Sequence, residues 1–399
     1  MLSDVSTRAD ASANEAIAAR IRARAPVVRT FFRREAPRIT AAARALAERF
    51  ERGGTLYAFG NGPYATDAAH LSVEFVHPVI VGKRALPAFD LSLAPEPFVT
   101  MLAHPNDAVI ALGPPGGDAA VARVLGLARK RGALTFALPG VEADFAFDAP
   151  CADEHVHQEV FELLGHTLYE SVHVFLEQRG IGGGDGAGAS SFLYPFLTDG
   201  ASPTVAQDDV TASILHKVED GEHLREIVAA TQSTMLASAA AAINDRLARG
   251  GRILTMGNGG SATDATDFVL DCVAPPAGMT AVPALSLSAE PALLSALGND
   301  VGMEHTFMRQ VIARGNERDV LLAFSTSGGS KNVVAALEEA RSRGLFIVAV
   351  LGYDGGEIVR RELADVALVV ASSDIPRIQE TQATIYHVLR ERLGGPHGA

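Results

Sequence analysis

One ordered series of short motifs occurs twice in the chain, and this long-range repeat restricts the fold more than any other feature. Thr55–Phe59 is an apolar run that leads into Gly60-Asn61-Gly62. Arg252–Met256 is another, and it leads into Gly257-Asn258-Gly259-Gly260-Ser261. Ala65-Thr66-Asp67 follows the first and Ala262-Thr263-Asp264 the second. Further on, Leu86-Pro87-Ala88 matches Val282-Pro283-Ala284, and Asp107–Leu112 matches Asp319–Phe324. A helix-like stretch and an apolar strand come next in each copy, Thr135–Leu138 and Phe346–Leu351. Gln158-Glu159 then matches Gln379-Glu380, and eight residues after each Gln stands a His, His166 and His387. A chain with one module written twice is expected to fold as two units of like topology.

Gly180–Ala189 is a Gly-rich linker by composition, which sets expected domains at 1–180 and 195–399 with the linker at 181–194. The length of 399 residues agrees with two domains of about 100–200 residues each. Within each copy short β-rich runs alternate with helical ones. The helical lead-ins are Ile39–Arg52 and Leu224–Arg249. That alternation predicts βαβ units and an α/β fold, a parallel sheet with helices on both faces. Ligands of such sheets bind beyond the carboxyl ends of the strands, where both Gly-rich turns of each copy fall.

Composition narrows the class. A net charge of −13 argues against a non-specific nucleic-acid surface. Cys151 and Cys272 are the two cysteines and neither sits in a CxxC, which argues against a disulfide scaffold and a cysteine-based zinc site. The amino-terminal stretch mixes Asp, Glu and Arg, and no apolar run reaches about 18 residues. A soluble cytoplasmic protein with no membrane partner is the expectation.

In the second copy Ser325-Thr326-Ser327-Gly328-Gly329-Ser330 follows the strand Val320–Phe324 and precedes a helix over 332–343. Glycines let backbone amides approach an anion, the helix N-terminus faces it, and four hydroxyls donate to it. Gly257–Ser261 supplies a second loop in the same half. The first copy has Gly113-Pro114-Pro115-Gly116-Gly117-Asp118 instead. Its hydroxyls are gone, its prolines remove amide donors, and Asp118 brings a negative charge. Phosphate is expected in the second copy only.

His70 and Glu74 stand four apart on an expected helix of the first copy, a spacing that lets both reach one ion. Gln158 and His166 are eight apart, about 12 Å along a straight helix, so sharing an ion requires Gln158 to precede the helix or the chain to bend. The second copy has Asp267, Asp271, Gln379 and His387 at these positions, a set of shorter side chains. His155-Val156-His157 is read as a loop.

These residues together resemble the sugar isomerase (SIS) family, and most closely its phosphoheptose isomerase branch. The second copy carries the likeness almost end to end, through its Gly257–Phe268, Gly298–Phe307, Arg318–Val333 and Arg377–His387 stretches. The resemblance implies α/β/α modules that assemble as homotetramers, bind zinc, and convert sedoheptulose 7-phosphate to D-glycero-D-manno-heptose 7-phosphate. It implies substrate contacts at Asn258, Gly259, Gly260 and Ser261, at Asn299 and Asp300, at Ser325, Thr326, Ser327 and Ser330, and at Gln379. It implies zinc at His70, Glu74, Gln158 and His166 of the first copy, which lacks the Gly-Asn-Asp segment of the second.

The reading that follows is an aldose–ketose isomerase moving a proton between C1 and C2 of a sugar phosphate through an enediol. Glu74 with His166, or Asp271 with His387, are the candidate acid–base pairs. The expectation favours Glu74 and His166, with zinc as polarising ion and phosphate on the second copy in a composite site. Because single modules form tetramers in the family, a fused pair is expected as a homodimer. The alternative is a non-catalytic sugar-phosphate sensor or initiator-associating protein on the same fold.

Overall fold

The computed structural model describes residues 13–78, 83–178 and 207–394, and the linker expected at 181–194 lies outside them. The chain divides into two compact units. The first is Pro26–Asp220, and the second joins Met1–Ala25 to Gly221–Ala399.

The first unit carries strands β1 (Leu56–Gly60), β2 (Ala88–Asp90), β3 (Ala108–Leu112), β4 (Leu134–Leu138) and β5 (Phe145–Ala146), ordered β2-β1-β3-β4-β5. The second carries β6 (Ile253–Met256), β7 (Ala284–Ser286), β8 (Val320–Ser325), β9 (Phe346–Gly352) and β10 (Val366–Val370), ordered β10-β9-β8-β6-β7. Read from its other edge the second order is that of the first, and every pairing is parallel. Apolar runs without alternation explain this, because a parallel sheet sheathed on both faces buries every side chain. All of β1 and all of β8 are buried. Leu56 and Ala58 join one core cluster while Tyr57 and Phe59 join the other. Val320, Leu322 and Phe324 likewise part from Leu321 and Ala323. Each unit is thus a three-layer α/β/α module.

The same polar pins recur in both. Asp107 Oδ1 accepts the Thr55 N–H at 2.8 Å and Asp319 Oδ1 accepts the Arg252 N–H at 3.1 Å, tying β3 to β1 and β8 to β6 at their starts.

The helical lead-ins differ from expectation. The first runs Arg24–Glu51 with Pro37 inside it, and the second is split into Gln207–Thr231 and Ser233–Ala248. Gln232 explains the break. Its side chain exchanges hydrogen bonds with the backbone of Val369 on β10, at 2.6 and 2.8 Å, in place of a further strand. The compact units also differ at both ends from the division at the linker. Ile17, Ala18 and Ile21 pack into the core of the second unit, and Val210, Ile214 and Val218 into that of the first. Arg20 and Arg24 fix the amino-terminal segment to Glu391 at 2.7 and 2.9 Å. Among the described residues no helix is long and apolar enough to cross a membrane.

Candidate active site

The turn after the first strand of each unit is built alike. A Cβ on Gly60 would lie 2.2 Å from the Tyr64 carbonyl oxygen, and one on Gly257 would lie 2.1 Å from that of Ser261, so only glycine fits either place. The Gly60 and Gly257 amides both donate at 3.1 Å to a serine hydroxyl, Ser92 and Ser288. Helices then run from these turns over Tyr64–Val76 and Gly260–Val273.

The second turn separates the units. In the second unit Asn258 and Asn332 exchange amide hydrogen bonds at 2.9 and 2.8 Å, locking the Gly257–Ser261 loop to the start of the helix Lys331–Ser342. Gly328 adopts φ +58°, and a Cβ there would meet the Gly355 carbonyl oxygen at 2.1 Å. Its N–H donates to Ser325 Oγ at 3.1 Å, and the Gly329 N–H to Ser327 Oγ at 3.3 Å. Ser330 stands at the N-cap of that helix without making a side-chain cap bond. The Val333 N–H donates to Asn332 Oδ1 at 3.0 Å, and the amides before it receive no cap from Ser330.

In the first unit the corresponding acceptor is part of the chain. Asp118 caps the helix Ala119–Lys130, taking the Ala120 N–H at 2.7 Å and the Val121 N–H at 3.2 Å, while its other oxygen accepts Asn61 Nδ2 at 2.8 Å. The Asn61 bond, with the two backbone amides, holds the carboxyl below the usual carboxylate range. A carboxylate thus caps the helix of the first unit where the second unit has Ser330.

Asn299 and Asp300 end the exposed helix Pro291–Asp300 and bond each other at 2.8 Å. The following turn, Met303–His305, packs on the Lys331–Ser342 helix.

The second cluster of polar groups lies between two packed helices in each unit. In the first these are Tyr64–Val76 and Glu154–Gln178. His70, Glu162 and His166 bring ligand atoms within 4.8 Å of one another. Glu74 Oε1 is 3.8 Å from His70 Nε2. Glu74 is 1% exposed and neither of its oxygens accepts a hydrogen bond. Gln158 falls inside the helix rather than before it, and its Nε2 donates to Asp67 Oδ2 at 3.2 Å. The expected loop at His155–His157 is the first turn of the same helix, where His157 Nε2 donates to the Gly113 carbonyl at 3.0 Å. Burial pushes the His157 ring down to about 4.

In the second unit the helices are Gly260–Val273 and Ile375–Glu391. His387 Nε2 lies 3.5 Å from Asp267 and 3.7 Å from Asp271, all three buried, with ligand atoms within 4.8 Å. The Tyr386 hydroxyl donates to Asp267 Oδ2 at 2.9 Å. Gln379, on the same helix as His387, is buried with an Oε1 that accepts no hydrogen bond. Cys272 beside Asp271 contributes no thiolate, since burial pushes its thiol up to about 12.

The SIS domain family model matches residues 218–352, within the second copy. The phosphoheptose isomerase of Pelobacter propionicus is 42% identical over 183 residues, which are 46% of this chain and 94% of that protein. The chain belongs to the phosphoheptose isomerase family. The corresponding enzyme of Geobacter sulfurreducens is 41% identical over 183 residues, again 46% of this chain and 94% of its own. Nearly a whole phosphoheptose isomerase is therefore matched by less than half of the chain. The C-terminal domain of glucosamine-fructose-6-phosphate aminotransferase from Francisella tularensis matches 90% of this chain and 93% of its own, with a TM-score of 0.58 at 10% identity. That likeness concerns the fold alone. Family membership makes the chain a phosphosugar isomerase.

Ser92, Ser288, Asn332 and Glu162 escaped the sequence reading. The serines follow strands too short to stand out. Glu162, four residues before His166, repeats the very spacing that singled out His70 and Glu74.

Proposed function

We propose that the chain interconverts sedoheptulose 7-phosphate and D-glycero-D-manno-heptose 7-phosphate, and that its second unit binds the phosphate. The observation that carries this is the contrast at one helix N-terminus. Asp118 fills it in the first unit, whereas Ser330 leaves it uncapped in the second. Ser325, Thr326, Ser327 and Ser330 surround that end as hydroxyl donors, and the Lys331–Ser342 helix adds amides whose dipole favours an anion. Gly259, Gly260 and Ser261 follow Asn258, whose bridge to Asn332 ties their loop to the start of the same helix. Asn299, Asp300 and Gln379 are assigned to the sugar hydroxyls.

The reaction needs a base to take a proton from the carbon beside the carbonyl and an acid to return one to its neighbour. Asp271 and His387 belong to the unit that holds the phosphate, and we assign them this exchange in preference to Glu74 and His166. A buried carboxylate against an imidazole can pass one proton without solvent. Both helix-pair clusters fit a divalent ion such as zinc, because they join imidazole nitrogen to carboxylate oxygen. His70, Glu74 and His166 would hold it in the first unit, and Asp267, Asp271 and His387 in the second. When bound it supplies Lewis-acid polarisation of a carbonyl oxygen.

The test is incubation of the full chain with sedoheptulose 7-phosphate, product being read by NMR. Asp271→Asn and His387→Ala should each lower the rate by about 10²–10⁴-fold, the usual worth of general acid–base groups. Glu74→Gln and His166→Ala should leave it near that of the parent. The reverse pattern moves catalysis to the first unit, and turnover by neither parent nor variants removes the isomerase assignment.

A further inference from the structure

We propose that Glu162 is a metal donor of the first unit, completing with His70, Glu74 and His166 a site of two imidazoles and two carboxylates. The proposal rests on the reading above that this unit holds a divalent ion, and it replaces Gln158 of the sequence pattern with a different residue.

Helix geometry favours Glu162. The helix Glu154–Gln178 is continuous, so Gln158 and His166 stand two turns apart, about 12 Å along the axis. Glu162 lies one turn from His166, about 6 Å, and on the same face. Its carboxylate reaches within 4.8 Å of both His70 and His166, and its Oε1 is shielded from solvent. Gln158 donates its Nε2 to Asp67 Oδ2 at 3.2 Å. The buried Glu74 oxygens beside His70 accept no hydrogen bond, which leaves a 1% exposed carboxylate suited to a cation. Two helices thus face each other, each with a His and a Glu four residues apart.

The second unit supports the count of charges. Its position equivalent to Glu162 is Ala383, and that of His70 is Asp267. One carboxylate has moved from one helix to the other, and each cluster keeps two carboxylates with at least one imidazole. Two carboxylates neutralise the charge of a divalent ion in a buried place, where charge is costly unless balanced.

The measurement is zinc affinity of the full chain by chelator competition, with metal content by mass spectrometry. A His387→Ala background removes the imidazole of the second unit. Glu162→Gln should weaken zinc by more than about tenfold, the least that loss of a supporting group costs, and Gln158→Ala should not. Glu162→Asp should recover part of the affinity. The absorption of bound cobalt should change with Glu162→Gln and stay as in the parent with Gln158→Ala. Circular dichroism reports folding, and Glu162→Asp with cobalt serves if the Gln variant does not fold. Parent-like affinity in Glu162→Gln, with loss in His70→Ala, overturns the role of Glu162 and leaves the metal reading standing. A background chain that takes up no zinc, or whose affinity His70→Ala does not change, overturns both.

Discussion

The two units differ at one helix N-cap. Asp118 satisfies its own helix, with two backbone amides and Asn61 as donors, while Ser330 does not cap its helix. An internal carboxylate already in place repels a second anion and withholds the amides it would need. The hydroxyls of Ser325 and Ser327 sit at the uncapped end, each holding one glycine amide of the loop. Replacing both by Ala should weaken binding of a sugar phosphate, because hydrogen bonds to a charged group are worth about 1.5–3 kcal/mol each. Calorimetric titration with sedoheptulose 7-phosphate reads the loss directly, and an unchanged affinity would show that the loop is not the phosphate site. The contrast between the two loops was legible in sequence, since the hydroxyls and glycines of one and the prolines and Asp of the other are local chemistry. Glu162 was not, because its partner His70 stands on another helix and only packing sets their distance.

The helix Glu154–Gln178 is a long buried element that brings His157, Gln158, Glu162, His166 and His173 into the first unit. Burial lowers His157 to about 4, and burial together with the positive charge of Lys83 lowers His173 to about 4. Both rings are therefore neutral in the folded state at pH values where the unfolded chain, with an ordinary histidine near 6.5, takes up protons. Their contribution is present in full above about pH 6.5 and is lost as pH falls toward 4. Shifts of this size correspond to something on the order of 3 kcal/mol per ring. Urea unfolding of the full chain should show a midpoint that drops between pH 6.5 and 4.5, and His157→Gln should flatten the slope. A midpoint independent of pH in that window contradicts the assignment. The sequence read His155–His157 as a loop, whereas the buried apolar face of the helix begins with Val156 and runs on through Val160.

At the scale of the whole molecule, the chain holds two modules where a phosphoheptose isomerase of similar sequence holds about one. Closed symmetric assembly from two-module chains needs half as many copies. We expect a homodimer, four modules in all, and light scattering coupled to size exclusion measures it. A monomer at micromolar concentration would remove the expectation. The sequence by itself determined the duplication, the parallel α/β architecture and the unequal chemistry of the two Gly-containing loops, Gly113–Asp118 and Ser325–Ser330. Each is written in residues close together in the chain, as runs of buried β-formers, glycines at tight turns and one Asp for Ser. Only the tertiary structure decided which segments complete each core, through Ile17 and Ile21 on one side and Val210, Ile214 and Val218 on the other. It alone brought Glu162 toward His70, and Gln232 to the edge of β10. The physical reason is common to all three: burial of an apolar face and satisfaction of a distant polar group depend on what packs against a helix, and local propensity carries no record of that neighbour.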